Sequence, residues 1–209
     1  MKFLTLITLL ATITFGQSNA DSLETVIKLD QTNIEAKYQL AMIYHDQIRS
    51  NKGDESDRAE KLFLEILKEK RDHVKARVYY GSLLTLRGRD AWLPWKKLSY
   101  VEEGCDEMDK AVKIAPKNIT VRLVRGMNNI HLPGFFNRIT YCLEDFKFLR
   151  TNPAFESFNT STKQQVLYFN AKAFMDNDET EKAVELYEQV VALYPDSKMG
   201  KKANDIISE

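Results

Sequence analysis

The pattern small-x3-large-x2-apolar occurs four times along the chain. Its members are Ala59, Phe63 and Ile66; Gly104, Met108 and Ala111; Cys142, Phe146 and Leu149; and Ala183, Tyr187 and Val190. Spacings of four and three put each trio on one face of an α-helix. The small residue admits a neighbouring helix, the large one fills the groove, and the third closes the turn. One such trio describes any amphipathic helix. Four in succession describe a repeat, whose members cannot bury an apolar face alone and must stack on their neighbours.

A second set of positions completes each repeat. Pro116, Pro153 and Pro195 stop three of these helices, and Arg71 stands in the equivalent place after the first. Ten residues after Gln31, Arg71 and Pro116 come Ala41, Gly81 and Gly126, again small, and Ala171 takes that place in the last repeat. Each repeat therefore reads as two helices, A then B, joined by a turn.

The last of them, AKAFMDNDETEKAVELYEQVVALYPDS, resembles the tetratricopeptide repeat: Ala171, Ala183, Tyr187 and Pro195 stand at that family's spacing, with MDND as the turn. The resemblance extends over roughly residues 22 to 209. It implies an all-α fold, a right-handed α-solenoid of stacked helix-turn-helix units, acting as an adaptor for a protein or peptide partner. The earlier repeats depart from the family. Helix A to helix B runs 12 residues in the family and from Ala171 to Ala183, but 18 from Ala41 to Ala59, 23 from Gly81 to Gly104 and 16 from Gly126 to Cys142. A further lengthening, PAFESFNTSTKQQ, follows the third repeat, and Lys37, Arg77 and Arg122 replace the family's large aromatic early in helix A. Residues 22 to 29 and 198 to 208 read as capping helices. No linker rich in Gly, Ser or Pro divides residues 21–209, which are expected to form one repeat domain.

Residues 1–20, MKFLTLITLLATITFGQSNA, have the make-up of a secretory signal: Lys2, an apolar run to Phe15, then the small residues Ser18 and Ala20 flanking Asn19. Four threonines dilute the run below what spanning a bilayer requires. The expectation is cleavage after Ala20 and a periplasmic or secreted protein. Lys plus Arg balances Asp plus Glu at 30 each, so net charge favours no nucleic acid. Two cysteines, Cys105 and Cys142, fall early in neighbouring B helices; helix axes about 8–10 Å apart leave a bridge open but favour two buried thiols.

Little is arranged for catalysis. His45, His73 and His131 are isolated, and His73 sits where a helix cap is expected. No glycine-rich phosphate loop or nucleophile elbow occurs, so no enzyme activity, catalytic residue, metal or cofactor is expected. EEGCDEMD, Glu102 to Asp109, reads as a solvated helix face. Asn118 and Asn159 head glycosylation triplets, relevant only in a eukaryotic source, whereas a bacterial exported protein is expected.

The insertions remain. TLRGRDAWLPWKKLSY and LVRGMNNIHLPGFFNRITY each carry an arginine near a glycine, then Leu-Pro, then aromatic rings beside a basic group. Two readings stand. The rings fold back and cap the helix ends, with Arg87, Arg89 and Asp90 fixing the loop by ion pairs; or both insertions leave at one end of adjacent repeats and form a binding rim. The rim would comprise Arg87, Arg89, Trp92, Trp95, Lys97, Arg125, Phe135, Phe136 and Arg138, since indole, phenyl and guanidinium groups make up binding hot spots. The rim admits two further occupants, a membrane surface at Trp92, Leu93 and Trp95 beside Lys96 and Lys97, or a small anion held by Arg87, Asp90, Arg125 and Asn128.

Overall fold

One turn, made four times, sets the frame. The N–H of Asn33 returns to the carbonyl of Asp30 (3.2 Å), His73 to Lys70 (3.1 Å), Asn118 to Ala115 (3.0 Å) and Ser197 to Tyr194 (3.1 Å). The residue that closes each turn then caps the helix after it. Asn33 Oδ1 accepts from the Ala36 N–H at 2.9 Å, His73 Nδ1 from Ala76 at 3.0 Å, Asn118 Oδ1 from Val121 at 3.1 Å and Ser197 Oγ from Gly200 at 2.9 Å. Each cap satisfies one of the orphan donors of a helix start. His73 is thus a cap, as its position led us to expect.

The computed structural model describes residues 19–50 and 55–208; among them are helices and short 3-10 turns, with no strand. The expected signal segment lies outside the described residues except for Asn19 and Ala20, which are already helical. The helices are α1 (19–29), α2 (Ile34–Arg49), α3 (Ser56–Glu69), α4 (Val74–Asp90), α5 (Pro94–Ile114), α6 (Ile119–Asn129), α7 (Ile139–Thr151), α8 (Thr160–Met175), α9 (Thr180–Leu193) and α10 (Lys198–Ser208). The pairs α2/α3, α4/α5, α6/α7 and α8/α9 are the A and B helices of four repeats, with α1 and α10 at the two ends. By its contacts the chain divides within α5 into two compact halves, residues 1–110 and 111–209.

In the first half α2 packs on both α3 and α4, and α3 on α4. Leu40, Tyr44, Phe63, Ile66 and Leu83 fill the space between them, and Ala20 joins this core. In the second half α7 packs on α6 and α8, and α9 on α8 and α10. Every member of the four defining trios is buried; Phe63, Ile66, Met108, Phe146, Leu149 and Val190 are fully so. Burying a side chain of this size contributes about 1.5–3 kcal/mol, so these residues carry the stacking.

The lengthened repeats take their extra residues in different ways. In the second repeat both helices simply grow: α4 runs on to Asp90 and α5 begins at Pro94, leaving only residues 91–93 between them. Proline opens α5 because a first-turn residue needs no N–H donor. Cys105 accordingly lies well inside α5 rather than early in it. Glycine allows the hairpin to close: a Cβ at Gly81 would lie 2.6 Å from the Gly104 carbonyl oxygen, and one at Gly88 would lie 2.8 Å from Val101 Cγ2. In the third repeat the extra residues form a loop with the 3-10 turn Gly134–Phe136. The lengthening after it forms a second such turn, Pro153–Ser157, capped by Asn152, and α8 then starts under an Asn159 cap.

The basic residues that replace the expected aromatics, Lys37 and Arg122 buried and Arg77 half-buried, are paired with the B helix of their own repeat. Lys37, 3 % exposed, reaches Glu69 at 2.7 Å and Glu65 at 3.1 Å. Arg77 meets Glu107 and donates to the Arg71 carbonyl at 2.9 Å. Arg122 meets Glu144 and Asp145, both at 2.8 Å, and donates to the Pro116 carbonyl at 2.8 Å. A salt bridge between A and B thus stands where the family packs a ring. In the fourth repeat the same position holds Leu167, buried among apolar neighbours.

Candidate functional site

The nine residues singled out in the insertions fall into two clusters, one in each half. In the first, the arginines are braces. Arg87 pairs with Asp57 and, at 2.8 Å, with Glu60, and its guanidinium lies 5.9 Å from the Tyr100 ring centre. Arg89 grips Asp90 with both Nε and Nη2 at 2.7 Å and reaches the Ile48 carbonyl at 3.4 Å. That grip holds the Asp90 carboxyl below its ordinary range. Lys97 Nζ donates to the Arg89 carbonyl at 3.2 Å, tying the start of α5 to the end of α4. The two tryptophans do not fold back. Trp92 is 84 % and Trp95 66 % exposed. A shallow cleft of about 360 Å³, with Ile48, Trp92, Lys96 and Tyr100 on its walls, lies beside them.

The second cluster is built around a buried carboxylate. Asp145, fully buried, receives Arg125 Nε at 2.7 Å and Nη2 at 2.8 Å as a fork, together with Arg122 Nη1 at 2.8 Å. Glu144 supports both guanidiniums from the solvent side, and its hydrogen bond from Arg122 holds its own carboxyl below the ordinary value. Arg138 lies 3.7 Å above the Tyr141 ring, and Arg125 lies 5.0 Å from it. Arg138 also donates to Asn129 Oδ1 at 3.3 Å. Between these braces, Phe135 stacks on Phe136 at 4.4 Å between centres and remains 70 % exposed. Asn137 follows in the left-handed conformation, φ 54°, which asparagine tolerates better than most residues. A cleft of about 560 Å³ opens beside the turn, walled by Leu132, Pro133, Asn137, Arg138, Lys172 and Asp176.

A model of the tetratricopeptide repeat matches residues 171–197. A thermophilic tetratricopeptide-repeat protein of Thermus thermophilus superposes with a TM-score of 0.67 at 13 % identity, covering 98 % of this chain and 97 % of its own. YrrB, a tetratricopeptide-repeat protein described as having an unusual peptide-binding site, superposes at 0.58 with 15 % identity, covering 95 % and 88 %. Residues 171–197 are a tetratricopeptide repeat, and the chain's fold is that of tetratricopeptide-repeat proteins. At these identities the solved structures establish its fold alone, that of an all-α solenoid of stacked helix-turn-helix units. No curated protein matches the sequence.

The arginines of the clusters are committed to the scaffold, whereas Trp92, Trp95 and Phe135 face solvent. The groups considered for an anion site are already engaged: Arg87 holds Glu60, Arg125 holds Asp145, and Asn128 donates to the Val124 carbonyl at 2.8 Å. Cys105 and Cys142 are buried free thiols, and burial pushes the Cys142 thiol up to about 12. His45 Nε2 lies 2.9 Å from Ser82 Oγ, but both side chains are buried, so the pair joins α2 to α4 and presents no nucleophile. The sequence reading did not pick out Asp57, Glu60, Glu144 and Asp145, the acids that set the arginines. A signal existed. Each lies within three residues of a small residue of the repeat pattern, on a B helix: Glu144 and Asp145 face Arg122 of their own repeat, whereas Asp57 and Glu60 face Arg87 on the next A helix.

Proposed function

We propose that the chain is an exported scaffold that holds a protein or peptide partner in a bacterial cell envelope. The tetratricopeptide fold is an interaction scaffold; partner and compartment are our reading. One observation carries it: Phe135 stands exposed on a turn that Arg125, Arg138, Tyr141 and Asp145 brace from beneath. A large ring on a rigid support contacts a partner at little ordering cost. The cleft beside it, with Asn137, Arg138 and Lys172 on its walls, supplies polar groups for the backbone of an extended peptide. The peptide-binding site of YrrB, on the same fold, supports a peptide partner.

Affinity capture from an envelope extract tests the partner. A protein retained by the wild type and lost with Phe135→Ala and Phe136→Ala is expected; the same proteins retained by all three would refute the surface. Export is supported by the Lys2 start, the apolar run and the small residues before Asp21. N-terminal sequencing of the cell-derived protein is expected to begin at Asp21, and a chain still carrying Met1 would refute cleavage.

A further inference from the structure

We infer that the tip of the α4–α5 hairpin is an interfacial anchor for an anionic lipid surface, with Trp92, Trp95 and Leu98 entering the headgroup layer and Lys96 and Lys97 meeting its phosphates. This goes beyond the scaffold reading, whose partner surface lies in the second half of the chain.

Position comes first. The glycine-mediated packing of α4 on α5 ends at Gly88, against Val101 and the Lys97 carbonyl, and residues 94–99 are all exposed. The tip therefore stands clear of the hairpin's own packing and needs no rearrangement to touch a surface. Its apolar groups are large and share a spacing of three: Trp92 at 84 %, Trp95 at 66 % and Leu98 at 42 % exposure. Exposed apolar groups of this size set together mark a contact site rather than chance.

The cations decide between protein and lipid. Protein interfaces are enriched in arginine and depleted in lysine, and here Arg87 and Arg89 are held by Asp57, Glu60 and Asp90. Among the described residues, the exposed cations that remain at the tip are Lys96, outside any ion pair, and Lys97, bonded to a carbonyl that leaves its charge uncancelled. Among the described acids at the tip, Asp90 is matched by Arg89 and Asp57, which shares the cleft of Trp92 and Lys96, is matched by Arg87; Glu102 and Glu103 lie further along α5. The tip is thus locally positive on a chain of zero net charge. Indoles at headgroup level with flanking lysines whose stems run along the apolar layer are the make-up of an interfacial contact. Among the described residues no helix is long and apolar enough to cross a membrane, so the contact is with the surface. A lone tip of this size binds reversibly.

The chain's two tryptophans are both at the tip, so intrinsic fluorescence reports this contact and no other. The full chain is titrated at low salt with vesicles of phosphatidylcholine alone and of phosphatidylcholine with phosphatidylglycerol. On the anionic vesicles the emission is expected to move to the blue and to be quenched by bromine-labelled acyl chains. Lys96→Glu with Lys97→Glu should weaken that response by more than about tenfold, as should removal of the anionic lipid. Unchanged emission on anionic vesicles overturns the anchor, even if the chain sediments with them through another segment. A shift equal on both vesicle types and indifferent to the lysine changes overturns the anionic recognition. A shift produced by envelope protein but by neither lipid reassigns the tip to a protein partner.

Discussion

At Gly81, in the interior of α4, propensity and packing disagree. Alanine in a helix interior is favoured over glycine by about 1 kcal/mol, yet here its methyl would lie 2.6 Å from the Gly104 carbonyl oxygen and 3.0 Å from the Met108 backbone nitrogen. Backbone cannot swing aside as a side chain can. Gly81→Ala is therefore expected to lower stability by about 1–3 kcal/mol, seen as an earlier urea midpoint; an unchanged or later midpoint would show that α4 and α5 are further apart than described. Asp145 is the second such residue. Its loss leaves Arg122 and Arg125, 7 % and 4 % exposed, without their shared carboxylate. Asp145→Ala should cost about 3–5 kcal/mol by the same measurement, and a cost below about 1 kcal/mol would mean that water or Glu144 can replace it.

Among the elements, the repeated turn ties local sequence to stacking. Asn118 closes the turn and caps α6 through the Val121 N–H, so Asn118→Ala should cost about 1 kcal/mol in thermal or urea unfolding, and no change would show the cap to be idle. The A and B helices and both end helices could be read from the chain, because a small residue, a large one and an apolar one at spacings of four and three permit few folds besides a stacked helix. The form of the insertions could not. Leu93-Pro94 and Leu132-Pro133 look alike in sequence, yet one proline opens α5 and the other precedes a 3-10 turn. The difference lies in long-range contacts: Gly88 lets α4 stay packed on α5 for two further turns, whereas after α6 Ile130 sits buried in the helix core and the chain turns there. The basic residues in helix A were visible as departures from the family, but their meaning depended on acids some twenty to thirty residues away.

For the whole molecule, pH is an informative variable. Tyr44 and Arg58 hold the Glu24 carboxyl below its ordinary value, Arg122 does so for Glu144, Arg89 for Asp90, and His45 with Arg49 for Asp46. A carboxylate whose pKa is lower folded than unfolded contributes stability above its unfolded value, about 3.9 for Asp and 4.3 for Glu, and loses it as pH falls through the folded one. Stability is therefore expected to decline with acid from roughly pH 4.3 downward; a protein as stable at pH 3 as at pH 6, by urea unfolding, would contradict these pairings. In both halves, what folds the chain is separate from what it offers to others: the apolar trios and the Arg122–Asp145 and Arg125–Asp145 braces stay inside, while Trp92, Trp95 and Phe135 stand outside. The emission of Trp92 and Trp95, in folded chain against chain unfolded in urea, tests that separation most directly. Folded emission close to the unfolded maximum and readily quenched by acrylamide is the predicted result; emission far to the blue and shielded from acrylamide would put the indoles in the core and contradict it.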